Sequence, residues 1–156
     1  MFIIVEGMKC SGKTTVAKKL SDILEMKYFN ERGETICFNN LAKGETRNLV
    51  AKYCTYLELE FAKLFDYCVD RFHISEHVYR KINFETIDYF EDIESKIMEI
   101  PHLLLFCCPN YESLLNKTIE RDGIDATKNL RITYNMFLNF YKRSKLNKRK
   151  IKTYEN

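Results

Sequence analysis

Gly7-Met8-Lys9-Cys10-Ser11-Gly12-Lys13-Thr14 sets two glycines, a lysine and a hydroxyl at the spacing of a phosphate-binding loop. Glycines let the backbone curl until its N–H groups point inward at phosphate oxygens. The lysine ammonium then reaches the β and γ phosphates, and the threonine hydroxyl ligates Mg²⁺. A helix opening near Lys13 adds the positive end of its dipole. The residues expected around a bound nucleotide are Gly7, Lys9, Cys10, Ser11, Gly12, Lys13, Thr14 and Thr15. Apolar Met8 fits a loop position whose side chain packs inward. A second chemical pair, Asp70-Arg71, closes the apolar run Tyr67-Cys68-Val69. At the C-terminal end of a parallel strand, where open sheets bind ligands, Asp70 can join the Mg²⁺ shell with Thr14 or accept a proton from an attacking oxygen. Arg71 can grip an acceptor phosphate with two parallel hydrogen bonds.

Something must hold these groups together. Apolar runs at Phe2–Val5, Thr35–Phe38, Tyr67–Val69, His102–Cys107 and, more weakly, Ile151–Tyr154 read as five strands. Helical periodicity lies between them. Val16, Ala17, Leu20, Ile23 and Leu24 follow the loop, Leu49 and Val50, Tyr53 and Cys54, Leu57, Phe61 and Leu64 share one face, and so do Leu130, Tyr134, Phe137 and Phe140 with Tyr141. Strands alternating with helices predict β-α-β units on a parallel sheet, with Phe2–Val5, apolar throughout, at its centre. With 156 residues, two prolines, five glycines and no Ser- or Gly-rich linker, one domain is expected.

Val5-Glu6-Gly7 leading into the loop, with Asp70-Arg71-Phe72-His73-Ile74-Ser75-Glu76-His77-Val78-Tyr79, resembles the thymidylate kinase branch of the nucleoside monophosphate kinases, above all the short enzymes of phages and large viruses. The resemblance implies a three-layer α/β P-loop kinase fold, with a five-stranded parallel sheet of order 2-3-1-4-5 under a short lid. It implies ATP as donor, Mg²⁺ as cofactor, Lys13, Asp70 and Arg71 as catalytic groups, and Arg71, Ser75 and Tyr79 against the acceptor nucleotide. Ser75 and Tyr79, four apart, would share a helix face. The sequence departs from that family at Lys9, usually acidic, at Cys10, where one branch keeps an arginine, and at Arg80, where a glutamine often stands. The stretch from Phe38 to Arg47 does not reproduce the family's Pro-Gly-Gly segment.

Leu114 to Gly123 reads as a helix stopping at a glycine, followed by a polar segment, Gly123 to Asn129. In the resembled family this is the lid over ATP. Arg121 is the first choice for its catalytic cation, ahead of Lys117 and Arg131. The chain ends soon after the fifth strand candidate, so the adenine pocket is expected to be open, or completed by Tyr154 or by a partner subunit, with loose selectivity for the donor base, and a homodimer is one possibility. The acceptor could also be a deoxynucleoside or a polynucleotide 5′ end, and a module that binds nucleotide without transferring phosphate is the reading of a different class.

Composition narrows the setting. The six cysteines, at 10, 37, 54, 68, 107 and 108, lack paired Cys-x-x-Cys spacing and read as free thiols of a reducing compartment, with Cys107 and Cys108 on opposite faces of a strand. No stretch is long and apolar enough for a membrane span or signal peptide, so a soluble cytoplasmic protein is expected. Seven Lys or Arg between Lys142 and Lys152 read as a solvated helix face rather than a nucleic-acid surface.

Overall fold

The structure, a computed structural model, describes residues 1–30, 45–82 and 89–153, and the side chains of these apart from 45–48 and 51. At its centre Phe2–Gly7 (β1) is buried at every position. Phe2 and Ile4 point into one apolar cluster and Ile3 and Val5 into another, the strand's two-residue period serving both faces. Tyr67–Asp70 (β3) and His102–Cys107 (β4) flank it in parallel, with Val5 beside Asp70 and Gly7 beside Cys107. Lys27–Asn30 (β2) and Lys148–Ile151 (β5) form the edges, giving the order β2-β3-β1-β4-β5.

The helices cover the sheet unequally. Lys13–Ile23 (α1) lies on the face of Ile3 and Val5, packing Ala17 against Cys68 and Leu105. The other face carries Glu45–Leu64 (α2), His73–Ile82 (α3), Phe90–Ile97 (α4), Tyr111–Asp122 (α5) and Leu130–Arg143 (α6), which contribute Leu59, Val78, Ile93, Leu114 and Phe137 to the larger cluster. Complete burial of each such side chain is worth roughly 1.5–3 kcal/mol. Cys107 belongs to one cluster and Cys108 to the other, as strand alternation requires. Burial pushes the Cys107 thiol up to about 12.

Three elements differ from the sequence expectation. The edge strand beside β3 is Lys27-Tyr28-Phe29-Asn30. It is half-exposed, needs no apolar run, and so leaves no run in the sequence to find. The expected strand Thr35–Phe38 lies outside the described residues. The fifth strand begins at Lys148, three residues before the apolar signal, because an edge strand of Lys-Arg-Lys-Ile is held by backbone pairing to Leu104–Cys107. The apolar row on α2 does not face the core: Leu49, Tyr53, Leu57, Phe61 and Leu64 are exposed, whereas Thr55, Glu58, Leu59 and Ala62 are buried.

Polar groups lock the helical layer. The carboxylate of Glu94 on α4 meets His73 Nε2 at 3.3 Å and accepts the Lys145 amide at 2.8 Å, joining α3, α4 and the end of α6. Burial works against its ionisation, but these bonds win and hold its carboxyl below the usual range. Lys148 closes the C-terminus of α6 by donating to the carbonyls of Tyr141, Lys142 and Ser144, so one member of the basic run is structural.

Candidate active site

The loop between β1 and α1 has a shape that only its own residues allow. Gly7, at φ +149°, lies so close to β4 that a Cβ there would sit 2.6 Å from the Cys107 carbonyl oxygen and 2.6 Å from Ser11 Oγ. Cys10 is left-handed at φ 65° and Gly12 at φ 81°. The Ser11 amide donates to the Met8 carbonyl at 3.1 Å, closing the turn, while Met8 is buried in the large cluster. Gly12 caps α1 without any side-chain hydrogen bond, and the first turn carries no acidic residue. The uncapped amides and the helix dipole together make an anion site.

Lys13 is buried in the first turn, its ammonium 3.4 Å from the Met8 carbonyl. Burial, and then the guanidinium of Arg71, lower it to about 8 against the pull of Asp70 and Glu6. A phosphate here restores the charge that burial disfavours. Thr14, one residue on, donates to Asp70 Oδ2 at 2.6 Å. The same oxygen accepts from Asn30 Nδ2 at 3.0 Å and Tyr28 OH at 3.3 Å. Asp70 faces α1 because it has the parity of Cys68, and Asn30 is its register partner on β2. The other oxygen, Oδ1, is buried with no hydrogen-bond partner.

That orphan oxygen beside a hydroxyl is a test of the expected Mg²⁺. Both donors are hard oxygens, two in number, which suits an ion that takes its remaining ligands from phosphates and water. Among the described residues no cluster of three or more His, Cys, Asp or Glu forms a closed metal cage. The residues present fit.

Arg71 follows at φ 78°, its amide held by the Val5 carbonyl at 3.0 Å and its guanidinium 5.4 Å from the Tyr79 ring centroid. Both line a cavity of about 280 Å³ whose other walls include Met8, Thr118, Leu130 and Thr133. Asp70, Arg71 and Tyr79 are thus assembled as the sequence suggested, and Ser75 is not. Its hydroxyl and amide both go to Glu6, and it is buried and is not among the residues that line the cavity. Residues four apart on a helix are separated by about 40°, enough for a tight wall to divide them.

Glu6 is the residue that sequence reasoning passed over. Fully buried at the end of β1, its Oε1 accepts the amides of Phe72 at 2.9 Å, Ile74 at 3.0 Å and Ser75 at 3.1 Å, and its Oε2 the Ser75 hydroxyl. It caps α3 from another strand. The only signal was a carboxylate at the end of an apolar strand, where a charge must find donors.

The lid side is formed by α5, the 3₁₀ turn Ile124–Thr127 and the start of α6. Asn110 caps α5 by accepting the Ser113 amide at 2.8 Å, and Gly123, at φ 82°, ends it. Asp122 ties this segment to the loop through Lys9 at 3.1 Å. Arg121 donates to the same carboxylate, and these two cations hold the Asp122 carboxyl below its usual range. With Cys10, Lys117 and Glu120, Arg121 lines a second cavity of about 430 Å³. Arg131 instead stacks on Tyr111, 3.3 Å from the ring centroid. Thr15 is exposed, and Thr153, beyond β5, donates to the Ser11 carbonyl at 2.7 Å, bringing that segment against the loop. Tyr154 lies outside the described residues.

Strand order, loop and flanking helices define a P-loop kinase fold. Solved structures agree. The YorR protein from Bacillus subtilis, in complex with phosphorylated GDP, superposes with a TM-score of 0.73 at 18% identity, over 98% of this chain and 86% of its own. The deoxyadenosine kinase from M. mycoides follows with dATP bound, at a TM-score of 0.68 and 16% identity over 100% and 93%, and with dCTP bound, at 0.66 and 15% over 100% and 92%. At such identities the likeness is one of fold. No family model matches the chain, and no curated protein is significantly similar to it. Among the described residues no helix is long and apolar enough to cross a membrane.

Proposed function

We propose that the protein transfers the γ-phosphoryl group of ATP to a deoxynucleoside monophosphate. The observation carrying this is Arg71: a guanidinium on the wall of the 280 Å³ cavity, one residue beyond the buried carboxylate that bonds Thr14. A cation there suits an acceptor that is itself an anion. The loop amides and Lys13 grip the donor phosphates, and Thr14 and Asp70 would hold Mg²⁺, which would supply charge neutralisation on those phosphates. Arg71 orients the acceptor phosphate, and the base lies between Tyr79 and Leu130. An acceptor oxygen attacks the γ-phosphorus in line, the bond to the β-γ bridging oxygen breaks, and ADP leaves. Arg121 exchanges Asp122 for the transferring group and, with Lys117, neutralises its equatorial oxygens. A phosphate acceptor is already ionised, so no base is required. Catalysis rests on positioning and charge.

Three observations favour a second acceptor, a deoxynucleoside. The 280 Å³ cavity is small for a nucleotide, a solved structure of the same fold is a deoxyadenosine kinase, and Asp70 Oδ1 has no partner, as a base toward a 5′ hydroxyl requires. ADP release measured across deoxynucleosides and their monophosphates separates the two. Turnover with monophosphates and a raised acceptor KM in Arg71→Ala supports the first. Turnover with nucleosides alone, untouched by Arg71→Ala, supports the second, and ATP binding without turnover on any acceptor overturns both.

A further inference from the structure

Lys9 and Cys10 are neighbours in the loop, yet they line different cavities. They are the two corners of the turn closed by the Ser11 amide on the Met8 carbonyl. Cys10, left-handed at φ 65°, lines the 430 Å³ cavity with Lys117 and Arg121. Lys9 lines the 280 Å³ cavity with Arg71 and Tyr79. Sequence grouped Lys9 with the residues around the donor nucleotide, whereas the fold sets its side chain on the wall that carries Arg71. That side chain is 47% exposed, and its ammonium meets Asp122 Oδ1, on the same wall, at 3.1 Å.

We propose, taking that cavity as the acceptor site, that Lys9 binds the acceptor's phosphate together with Arg71, and that Asp122 holds its place until the acceptor arrives. Charge is the first reason. The cavity wall carries two cations, Lys9 and Arg71, against the single carboxylate of Asp122, which Arg121 shares at 3.1 Å. A wall with positive charge in excess suits an anion, and a phosphate monoester carries about −1.5 to −2 near pH 7, more than Arg71 alone neutralises. Exchange is the second. A half-exposed ion pair is worth little, so Lys9 gives up Asp122 cheaply, whereas a charge-assisted bond to phosphate inside the cavity is stronger. Reach is the third: a lysine is a point charge on a flexible stem, so its ammonium moves from carboxylate to phosphate while its backbone stays in the loop. A nucleoside offers Lys9 nothing in exchange for Asp122. Lys9 is therefore a residue that selects monophosphates over nucleosides.

Titration calorimetry of deoxynucleoside monophosphates, the matching deoxynucleosides and ATP onto the full chain tests this, in the wild type, Lys9→Met, Lys9→Arg and Asp122→Asn. Lys9→Met should weaken monophosphate binding about tenfold, the loss of one charge-assisted hydrogen bond at a half-exposed position. Nucleoside and ATP affinities should stay within about twofold, the retained ATP affinity reporting an intact loop. Lys9→Arg should restore the monophosphate. Asp122→Asn, outside the loop, should tighten it several-fold, because the competing carboxylate is gone. A Lys9→Met protein that loses ATP instead of the monophosphate, or loses monophosphate and nucleoside alike, overturns the role given to Lys9 and leaves the acceptor class standing. Monophosphate affinity unchanged in Asp122→Asn overturns it as well. A wild-type chain that binds nucleosides but no monophosphate overturns the acceptor class itself, and the role of Lys9 with it.

Discussion

Replacing Glu6 tests how the site is held in place. One carboxylate oxygen accepts three backbone amides at the start of α3 and the other accepts Ser75, all of it buried. In Glu6→Ala those three amides lose their acceptor, at about 1–3 kcal/mol each if dry and less where water enters. Loss of the anion at the helix N-terminus adds about 1 kcal/mol. A destabilisation of roughly 3–5 kcal/mol follows. Glu6→Gln keeps one oxygen for the amides but loses the charge and replaces the oxygen that accepts from Ser75 with an NH₂, toward which the serine hydroxyl must turn as acceptor, so about 1–2 kcal/mol is expected. The effect reaches the chemistry through the chain: Arg71 is clamped between its own amide on Val5 and the Phe72 amide on Glu6, in a left-handed conformation. Loosening that clamp spreads the guanidinium over more positions and raises the acceptor KM while leaving ATP binding near its original value. Urea unfolding of the three proteins, with steady-state kinetics of Glu6→Gln, provides both numbers. A Glu6→Ala protein within about 1 kcal/mol of the wild type would refute the reasoning, because buried donors cannot lose their acceptor at so little cost.

Other perturbations reach other parts of the site. Gly7→Ala forces a Cβ to within 2.6 Å of the Cys107 carbonyl, so loss of ATP binding in a titration is expected, with roughly 2–4 kcal/mol of stability. Lys13, at about 8 when the site is empty, takes up a proton as phosphate binds; ATP affinity should fall about tenfold per pH unit above that value, and calorimetry in buffers of different ionisation enthalpy should detect the uptake. His77 is buried among Tyr89, Phe90 and Phe140, donates Nδ1–H to the His73 carbonyl at 2.6 Å, and leaves Nε2 bare. Burial first, then His73, Arg80 and Arg143, lower it from 6.5 to about 4. Because the unfolded chain binds this proton first, stability present above pH 6.5 is lost as the pH falls toward 4, by about 3 kcal/mol, and His77→Phe should flatten that part of the urea-midpoint profile.

The parts of this protein that can be read along the chain are those whose physics is local. Gly7 to Thr14 is one contiguous stretch, so its glycines, Lys13 and Thr14 foretell its shape without help from the rest of the chain. β1 and β3 are buried at every position and β4 from Leu104 to Cys107, so each carries an apolar run that made it visible, with Glu6 and Asp70 coming only at the strand ends. β2 and β5 lie at the edges, where backbone pairing suffices, and their composition concealed them. Helical period showed that α2 has an apolar row, but period alone cannot say whether the row meets the chain's own core or another surface.

Sequence by itself thus determined a glycine-bounded loop after a central strand and an Asp-Arg pair at a strand end, because spacing and covalent continuity are enough for both. Tertiary structure decided the rest. Asn30 and Thr14 meet on Asp70 through strand register, and Ser75 bonds Glu6, 69 positions away in the chain, because a buried carboxylate must be satisfied by whatever donors the fold brings to it.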